Sequence, residues 1–381
     1  MKKGDLINNE YRQLKDEKTG ATVHQLTSDP STNHSLFFLN PSFRPGTSGE
    51  RQEVGFVTYR DGPQLCLFDF ATRRALVLTN PDGLQAFSPA YSPDGRFLYY
   101  TTEGGQMRRV DVDSAAEETL IDKPPGKIGE CSLSGDGRYV VTSCKMDATY
   151  GLLVLDVEAQ KSEMIFETDL QIIHPQFHPT DANLIEYAGN PNPRLWMIHR
   201  DGTQNECLYR NAWNEFIVHE SFLGTSNDLI FTIWPYRLAR LNIHDRRPET
   251  IVETNAWHMA SNRDGTLIVS DTNHPDRGLL LINPETGTCR TLCYPGASCH
   301  GSQWKFDHPA TPDAWKALPP DADADARVLS WMEMKVDTVY GPQWTHPHPA
   351  FDDGGRRVVY TSDVTGDAQV YVVDVPDELL P

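Results

Sequence analysis

The sequence predicts an all-β protein, a seven-bladed β-propeller, because one supersecondary unit recurs along the chain and the two chain ends complement each other. In each copy, a turn containing Asp-Gly or an equivalent precedes an apolar strand, a second apolar strand that ends near Asp or Asn, and a polar hairpin. Such turns between alternating strands signal hairpins, and most copies are separated by roughly forty residues, the length of a four-stranded blade.

Seven copies of this unit can be recognised in the sequence. They start near Phe43, Tyr91, Leu133, Phe177, Phe222, Ser261 and Phe351. A four-stranded sheet cannot cover both of its faces by itself, so such units bury one another by stacking radially around a channel. We therefore expect residues 1–381 to form a single propeller domain.

The interval between the last two copies is about twice as long as the others, which predicts an insertion between the sixth and seventh blades. We place this insertion around residues 293–340, a segment rich in Pro, Asp and Trp. Within it, a run of Pro and Asp residues is typical of an exposed loop. The insertion would leave the repeat on either side of it intact.

The seventh unit ends at Val375 without an outer strand, and a matching strand lies at the other end of the chain. Residues 16–27 have the same form as residues 284–292, the turn and outer strand of an interior unit. We therefore expect the N-terminal strand to close the last blade. Closure of this kind removes the open sheet edges that invite pairing with another chain.

The composition narrows the classes of partner. A formal net charge of −19 disfavours nucleic acid, because binding to a phosphate backbone relies on concentrated Lys and Arg. An anionic substrate would need local positive charge from a metal ion or an arginine. No stretch of about 18 apolar residues and no signal-peptide pattern occurs, which predicts a cytoplasmic protein without a membrane partner. Seven cysteines, without paired metal-ligand spacing, are expected to be reduced.

The sharpest local motif is a His-Pro-His-Pro segment just before the last repeat. In an extended segment, His346 and His348 point to the same side, and the flanking prolines stiffen the backbone that presents them. His258 occupies a similar position before the preceding repeat, and Gln343 could add an oxygen ligand. Three imidazoles and one amide oxygen would suit a divalent ion such as Mn²⁺, Zn²⁺ or Ni²⁺. The alternative is a rigid loop with hydrogen-bonded histidines.

Other residues near blade entrances are candidates for substrate chemistry. A neutral His219 beside a metal would be a plausible general base, and the alternative is a core histidine bonded to a backbone carbonyl. Arg194 could bind a carboxylate through its planar fork, or it could be a surface arginine. Three further entrance histidines are candidates for lining the pocket. They are His34, His174 and His178.

The C-terminal residues closely resemble the end of the oligogalacturonate lyases. The resemblance is carried by residues 345–351, 359–363 and 371–376. It extends more faintly over nearly the whole chain, including residues 16–27 and the Val-His-Glu sequence at 218–220.

This resemblance implies a seven-bladed propeller that binds Mn²⁺ and acts in the cytoplasm on short galacturonate oligomers by β-elimination, leaving 4,5-unsaturated products. An acidic oligosaccharide would then be the partner. By the same resemblance, the Brønsted base would be His219, with Arg194 assisting at the substrate carboxylate. The implied metal ligands are His258, Gln343, His346 and His348.

The sequence also departs from the family pattern, which keeps other functions open. The approach to Arg194, residues 187–193, is compact, whereas the family usually has a longer segment with another histidine. A lyase for a different uronate oligosaccharide is therefore an alternative, because loops supply substrate contacts. A non-enzymatic scaffold like WD40 or TolB propellers is a second alternative. A hydrolase such as a lactonase is a third, although those propellers favour acidic and amide ligands for Ca²⁺.

Overall fold

The computed structural model describes residues 1–190, 193–212, 215–234, 236–272, 276–299 and 343–380. Within these ranges the strands form seven antiparallel sheets of four or five strands, one for each predicted repeat. The predicted all-β propeller is therefore confirmed. The predicted insertion, 293–340, lies almost entirely outside the described residues and stays a prediction. No helix in the described ranges is long and apolar enough to cross a membrane.

The strands are numbered in chain order and grouped here by blade. Blade 1 contains β1 (Leu6–Ile7), β4 (Asn33–Ser35), β5 (Glu53–Thr58), β6 (Gln64–Asp69) and β7 (Arg74–Val77). Blade 2 contains β8 (Ala90–Tyr91), β9 (Phe97–Thr101), β10 (Met107–Asp111) and β11 (Glu117–Ile121). Blade 3 contains β12 (Lys127–Ile128), β13 (Ser132–Leu133), β14 (Tyr139–Lys145), β15 (Tyr150–Asp156) and β16 (Lys161–Thr168).

The later blades are more regular. Blade 4 contains β17 (Gln171–Phe177), β18 (Leu184–Asn190), β19 (Leu195–His199) and β20 (Glu206–Tyr209). Blade 5 contains β21 (Phe216–Phe222), β22 (Asp228–Trp234), β23 (Arg237–Asn242) and β24 (Pro248–Val252). Blade 6 contains β25 (Ala256–Ser261), β26 (Ile268–Thr272), β27 (Leu279–Ile282) and β28 (Cys289–Cys293). Blade 7 contains β2 (Arg12–Lys15), β3 (Thr22–Gln25), β29 (Ala350–Phe351), β30 (Arg357–Ser362) and β31 (Gln369–Asp374). Short 3-10 helices span Gly49–Arg51, Gln343–Thr345 and Asp377–Leu379.

Apolar side chains from facing sheets fill the spaces between neighbouring blades. Between blades 1 and 7, for example, Phe56 and Phe68 pack in one cluster with Val359 and Val372, and all four are almost completely buried. Full burial of such a side chain contributes about 1.5–3 kcal/mol. All seven cysteines lie among the described residues and none of them is paired in a disulfide.

The N-terminal segment closes the ring as predicted. Strand β3 pairs antiparallel with β31, with Val23 opposite Val373, so it supplies the outer strand of blade 7. Strand β2 then pairs with β3 as a fifth strand. The structure adds a second contact, because β1 pairs with the outer strand of blade 1, with Leu6 opposite Leu76. The first 25 residues thus tie together the two blades that meet where the ring closes.

Deletion of residues 1–27 is expected to lower the melting temperature by roughly 10 °C or more and to promote association through the exposed edge of β31. The deletion removes Ile7, Val23 and Leu26, which are buried in the clusters of blades 1, 6 and 7. Thermal melts followed by circular dichroism, with light scattering, measure both effects. Deletion of residues 377–381 is the control, since it removes no strand. Equal melting of the two variants would contradict the closing role.

Candidate metal centre and active site

Histidines from five blades come together at the channel. His34 lies in β4, His174 in β17, His219 in β21 and His258 in β25, and His348 immediately precedes β29. Each of these strands is the innermost strand of its sheet. The topology therefore brings together side chains that are more than three hundred residues apart in sequence, from 34 to 348.

The three histidines predicted to bind a metal lie close to one another within this cluster. The ring centroids of His258 and His348 are 3.9 Å apart, and that of His346 lies 5.6 Å from His258. The ring of His219 is 4.4 Å from His258. His258, His346 and His348 are buried, whereas His219 is partly exposed.

A β-bulge at each of three histidines turns its side chain out of the strand's regular alternation. The strand register breaks around His174 in β17, around His219 in β21 and around His258 in β25. His174 and His219 have positive φ angles of 53° and 56°, a region that residues with a Cβ rarely adopt. Bulges re-aim side chains next to functional sites. The same distortion in three consecutive blades therefore directs the three imidazoles towards one place.

A buried carboxylate fixes the orientation of His258. The Nδ1 atom of His258 lies 2.8 Å from Oδ2 of Asp271, and the backbone N–H of His258 donates to Oδ1 of Asp271 over 2.7 Å. Burial raises the pKa of Asp271 to about 7, and the N–H groups directed at it oppose that rise. With Nδ1 held by Asp271, Nε2 is the nitrogen of His258 that remains for a ligand.

The chemistry of the donors fits a divalent metal ion. Nε2 of His348 is buried without a hydrogen-bond partner, which is costly unless a ligand satisfies it. Burial and the neighbouring histidines hold the pKa of His258 and His348 well below the usual range, so both are in the neutral form that binds metal. As they are arranged in the described ranges, no three or more His, Cys, Asp or Glu side chains form a metal site, so the fit rests on the chemistry of the donors and not on their spacing. The backbone of Gln343 lies in the 3-10 helix next to this cluster, but its side chain is outside the description, so the four-ligand set stays a prediction.

His219 has the properties of a proton acceptor. Its Nδ1 atom is buried and makes no hydrogen bond, unlike a core histidine held by a backbone carbonyl. Its ring packs edge-on against Trp257 at 4.6 Å. Desolvation by the surrounding protein, together with His258 and His174, lowers the pKa of His219 well below its ordinary value. The imidazole is therefore neutral and able to take a proton.

Arg194 lies in a buried ionic network and not at the surface, so the surface-arginine alternative is wrong. Its side chain donates from Nε to Oε2 of Glu220 over 2.8 Å and from Nη2 to Oε1 over 3.2 Å. Nδ1 of His174 lies 2.8 Å from Oε1 of the same carboxylate. Burial alone would raise the pKa of Glu220, but Arg194 and His174 hold it below its usual range, so Glu220 is ionised. The network therefore links Arg194 to the channel.

A second buried carboxyl lies beside this network. The side-chain amide of Gln176 donates to Oε2 of Glu186 over 2.8 Å and to the backbone carbonyl of Glu220 over 3.1 Å. Burial, and then the charge of Glu220, raises the pKa of Glu186 well above its usual value. The pKa values of the two carboxyl groups are thus shifted in opposite directions, a pattern associated with functional sites.

An aromatic floor lies under the histidines. The ring of Phe38, almost fully buried, is 5.3 Å from His219, 5.5 Å from His174 and 5.6 Å from His258. Phe37 packs against His174 and His348 at 5.4 and 5.7 Å. Both phenylalanines lie shortly after the inner strand of blade 1, which ends at Ser35. They exclude water from one side of the cluster, which strengthens electrostatic interactions there.

Of the two other histidines predicted to line the pocket, His34 joins the cluster and His178 does not. His34 stacks on Phe87 at 4.7 Å, and its Nδ1 lies 2.7 Å from the carbonyl of Ser35, leaving a buried Nε2 without a partner. That atom is available to accept a hydrogen bond. His178 does not join the cluster, because it lies beyond the end of β17, where its Nε2 contacts Asn227 at 2.9 Å. The prediction that His178 lines the pocket is therefore wrong.

Fold and site together define a β-propeller with an imidazole-rich channel site. The family described as oligogalacturonate lyase matches residues 1–148. The chain is 23% identical to the oligogalacturonide lyase of Pectobacterium atrosepticum and 24% identical to the oligogalacturonate lyase of Dickeya dadantii, in each case over the full length of both chains. A solved structure described as oligogalacturonate lyase in complex with manganese superposes with a TM-score of 0.80 at 21% identity, again over the whole of both chains. The resemblance seen in the sequence is confirmed: the chain is similar over its whole length to proteins named as oligogalacturonate lyases.

Proposed function

We propose that the protein is a metal-dependent lyase that cleaves short galacturonate oligomers by β-elimination and leaves a 4,5-unsaturated product. The observation that carries the proposal is the pairing of His219 with His258, whose ring centroids are 4.4 Å apart. It puts a neutral, partly exposed imidazole beside the buried histidines suited to a metal. The names of the relatives support the substrate class, and the manganese-bound neighbour supports Mn²⁺ as the ion.

The chain's own residues account for the proton transfer. The C5 proton of a uronate is weakly acidic, and its removal places negative charge on the C6 carboxylate. A ring nitrogen of His219 accepts this proton, the C5–H electron pair forms the C4–C5 double bond, and the C4–O bond breaks. The departing oxygen takes up one proton from solvent and His219 later releases one to solvent, so the protons balance and no water is consumed.

Positive charge at the substrate carboxylate completes the site. The guanidinium of Arg194 has five N–H donors, more than Glu220 uses, so it can also bind a carboxylate. His258, His346, His348 and Gln343 would hold Mn²⁺. When bound there, the ion supplies positive charge that stabilises the enolate-like transition state.

One observation favours a related substrate as the second candidate. The backbone N–H of Gly189 donates to the carbonyl of Arg194 over 2.8 Å, which closes the hairpin between β18 and β19 tightly. The segment before Arg194 also has few residues in the sequence, so it offers fewer sugar contacts than a longer one would. A different uronate oligosaccharide would keep the elimination chemistry and change the sugar contacts.

The proposal is tested by incubating the protein with Mn²⁺ and a panel of galacturonate and other uronate oligomers, and following the ultraviolet absorbance of the conjugated double bond. We expect absorbance to rise with galacturonate oligomers, to stop after chelation and to return when Mn²⁺ is added. His348→Ala should abolish the signal, and His244→Ala, at an exposed histidine on blade 5, should not. A signal with another uronate alone selects the second candidate, and no signal from metal-loaded protein contradicts both.

A further inference from the structure

Asp271 occupies a special position in blade 6. It lies on β26, one strand outward from the channel, and only 2% of its surface is exposed. Three nitrogen atoms surround its carboxylate. They are Nδ1 of His258 at 2.8 Å, the backbone N of His258 at 2.7 Å and the backbone N of His348 at 3.3 Å.

The bulge in β25 explains why a carboxylate is needed at this position. The pairing of β25 with β26 is interrupted between Ala256 and Met259, so the backbone N–H of His258 has no place in the ladder. A buried backbone N–H without a partner is strongly unfavourable. Oδ1 of Asp271 accepts this hydrogen bond and so stabilises the backbone conformation that directs His258 into the channel.

The other oxygen selects the tautomer of His258. Oδ2 of Asp271 already faces one backbone N–H, that of His348, so it acts as an acceptor. An acceptor opposite Nδ1 favours the tautomer with the proton on Nδ1, which leaves the Nε2 lone pair for a metal. The same carboxylate contacts two blades, because His258 lies in blade 6 and His348 immediately precedes the inner strand of blade 7. The backbone of His348 has a positive φ of 44°.

We propose that Asp271 is the positioning residue of the metal site, holding His258 in the metal-binding tautomer and fixing the backbone of His348 relative to it. The inference rests on the metal-dependent function proposed above. In this proposal, the side chain of Asp271 determines the distance between the imidazoles of His258 and His348, whose ring centroids lie 3.9 Å apart.

The test is an Mn²⁺ titration of metal-free protein followed by electron paramagnetic resonance. Asp271→Asn keeps the shape of the side chain but replaces one acceptor oxygen with a donor, so it should weaken Mn²⁺ binding roughly 10- to 100-fold. Excess Mn²⁺ should restore much of the activity of this variant, because the catalytic groups are untouched. A merely structural defect would not respond to metal in this way.

Asp374→Asn is the matched control. Asp374 also holds a histidine, with its Oδ2 3.0 Å from Nε2 of His24, but this pair lies in the outer part of blade 7. Its substitution should leave Mn²⁺ affinity unchanged. Asp271→Glu is the second variant, for use if Asp271→Asn melts early. It retains the carboxylate at a different reach, and its affinity should fall between wild type and Asp271→Asn.

The outcomes separate this inference from the proposed function. If wild type binds Mn²⁺ and both Asp271 variants bind it equally well, Asp271 has no positioning role, while the proposed function stands. If wild type binds no Mn²⁺, the metal-dependent function itself is overturned, and the inference falls with it. Weakened binding in the Asp271 variants alone supports both.

Discussion

We expect His219→Asn to lower kcat/KM for elimination by roughly 10²- to 10⁴-fold, the usual contribution of a general base, while leaving Mn²⁺ affinity nearly unchanged. His219 is the partly exposed member of the cluster, and its Nδ1 has no partner. Removing it takes away the proton acceptor but not the groups that would hold the metal. Steady-state kinetics and an Mn²⁺ titration of the same preparation measure the two effects separately.

The choice of Asn follows from the backbone. His219 has a φ of 56°, and Asn tolerates this left-handed region better than Ala does. A loss of activity in His219→Asn with an unchanged melting temperature therefore reports the missing imidazole rather than strain. Activity within tenfold of wild type would place the base elsewhere, and His174, whose ring stacks 6.5 Å from His219, would be the next residue to replace.

Much of the fold could be predicted because its determinants are local. The Asp-Gly turns specify hairpins through the conformations that their own residues favour, so the repeat is visible without knowledge of distant contacts. The closing strand was predictable for the same reason, since residues 16–27 carry the turn and strand pattern of an outer strand. The extra pairing of Leu6–Ile7 with blade 1 was missed, because a strand of two residues has no detectable periodicity.

The site was predicted in part. The convergence of His219, His258 and His348 followed from topology, because the inner strands of all blades face one channel. Asp271 and Glu220 were not identified as parts of the site, because their importance depends on partners in other strands and blades. The prediction for His178 failed because it lies in the turn after the inner strand.

The β-bulges were also beyond sequence reasoning. A regular strand alternates its side chains between the two faces of the sheet. The residue types around His174 and His219 do not indicate the extra residue that shifts the strand register at each of them. One signal could have pointed to the aromatic floor: Phe37 and Phe38 follow the inner strand of blade 1, where a turn is usually polar.

The second large effect is expected for Glu220→Gln, which should lower the free energy of unfolding at neutral pH by about 3–5 kcal/mol, as loss of one partner from a buried ion pair does. The substitution leaves the buried guanidinium of Arg194 without its counter-charge and removes the carboxylate that faces His174. KM should rise as well, because Arg194 is no longer held in place. Urea denaturation and kinetics at saturating Mn²⁺ measure these changes.

The pH dependence of this loss identifies its cause. The pKa of Glu220 is lower in the folded protein than its ordinary value of 4.5, so its stabilising contribution is present above that value and is lost as the pH falls towards the folded-state pKa. The difference in stability between wild type and Glu220→Gln should therefore shrink when the pH is lowered from 6 to about 3. A difference that stays constant over this range would point to lost packing instead of lost charge.

Glu186→Gln is the matched control for Glu220→Gln. Burial, and then Glu220, raises the pKa of Glu186, which favours the protonated form of this carboxyl. Exchanging a neutral acid for a neutral amide should change stability by less than about 1 kcal/mol. A large loss of stability in Glu186→Gln with a small loss in Glu220→Gln would mean that Glu186, and not Glu220, carries the negative charge. The expected order, with the larger loss in Glu220→Gln, would mean that Glu220 is the ionised carboxylate and pairs with Arg194.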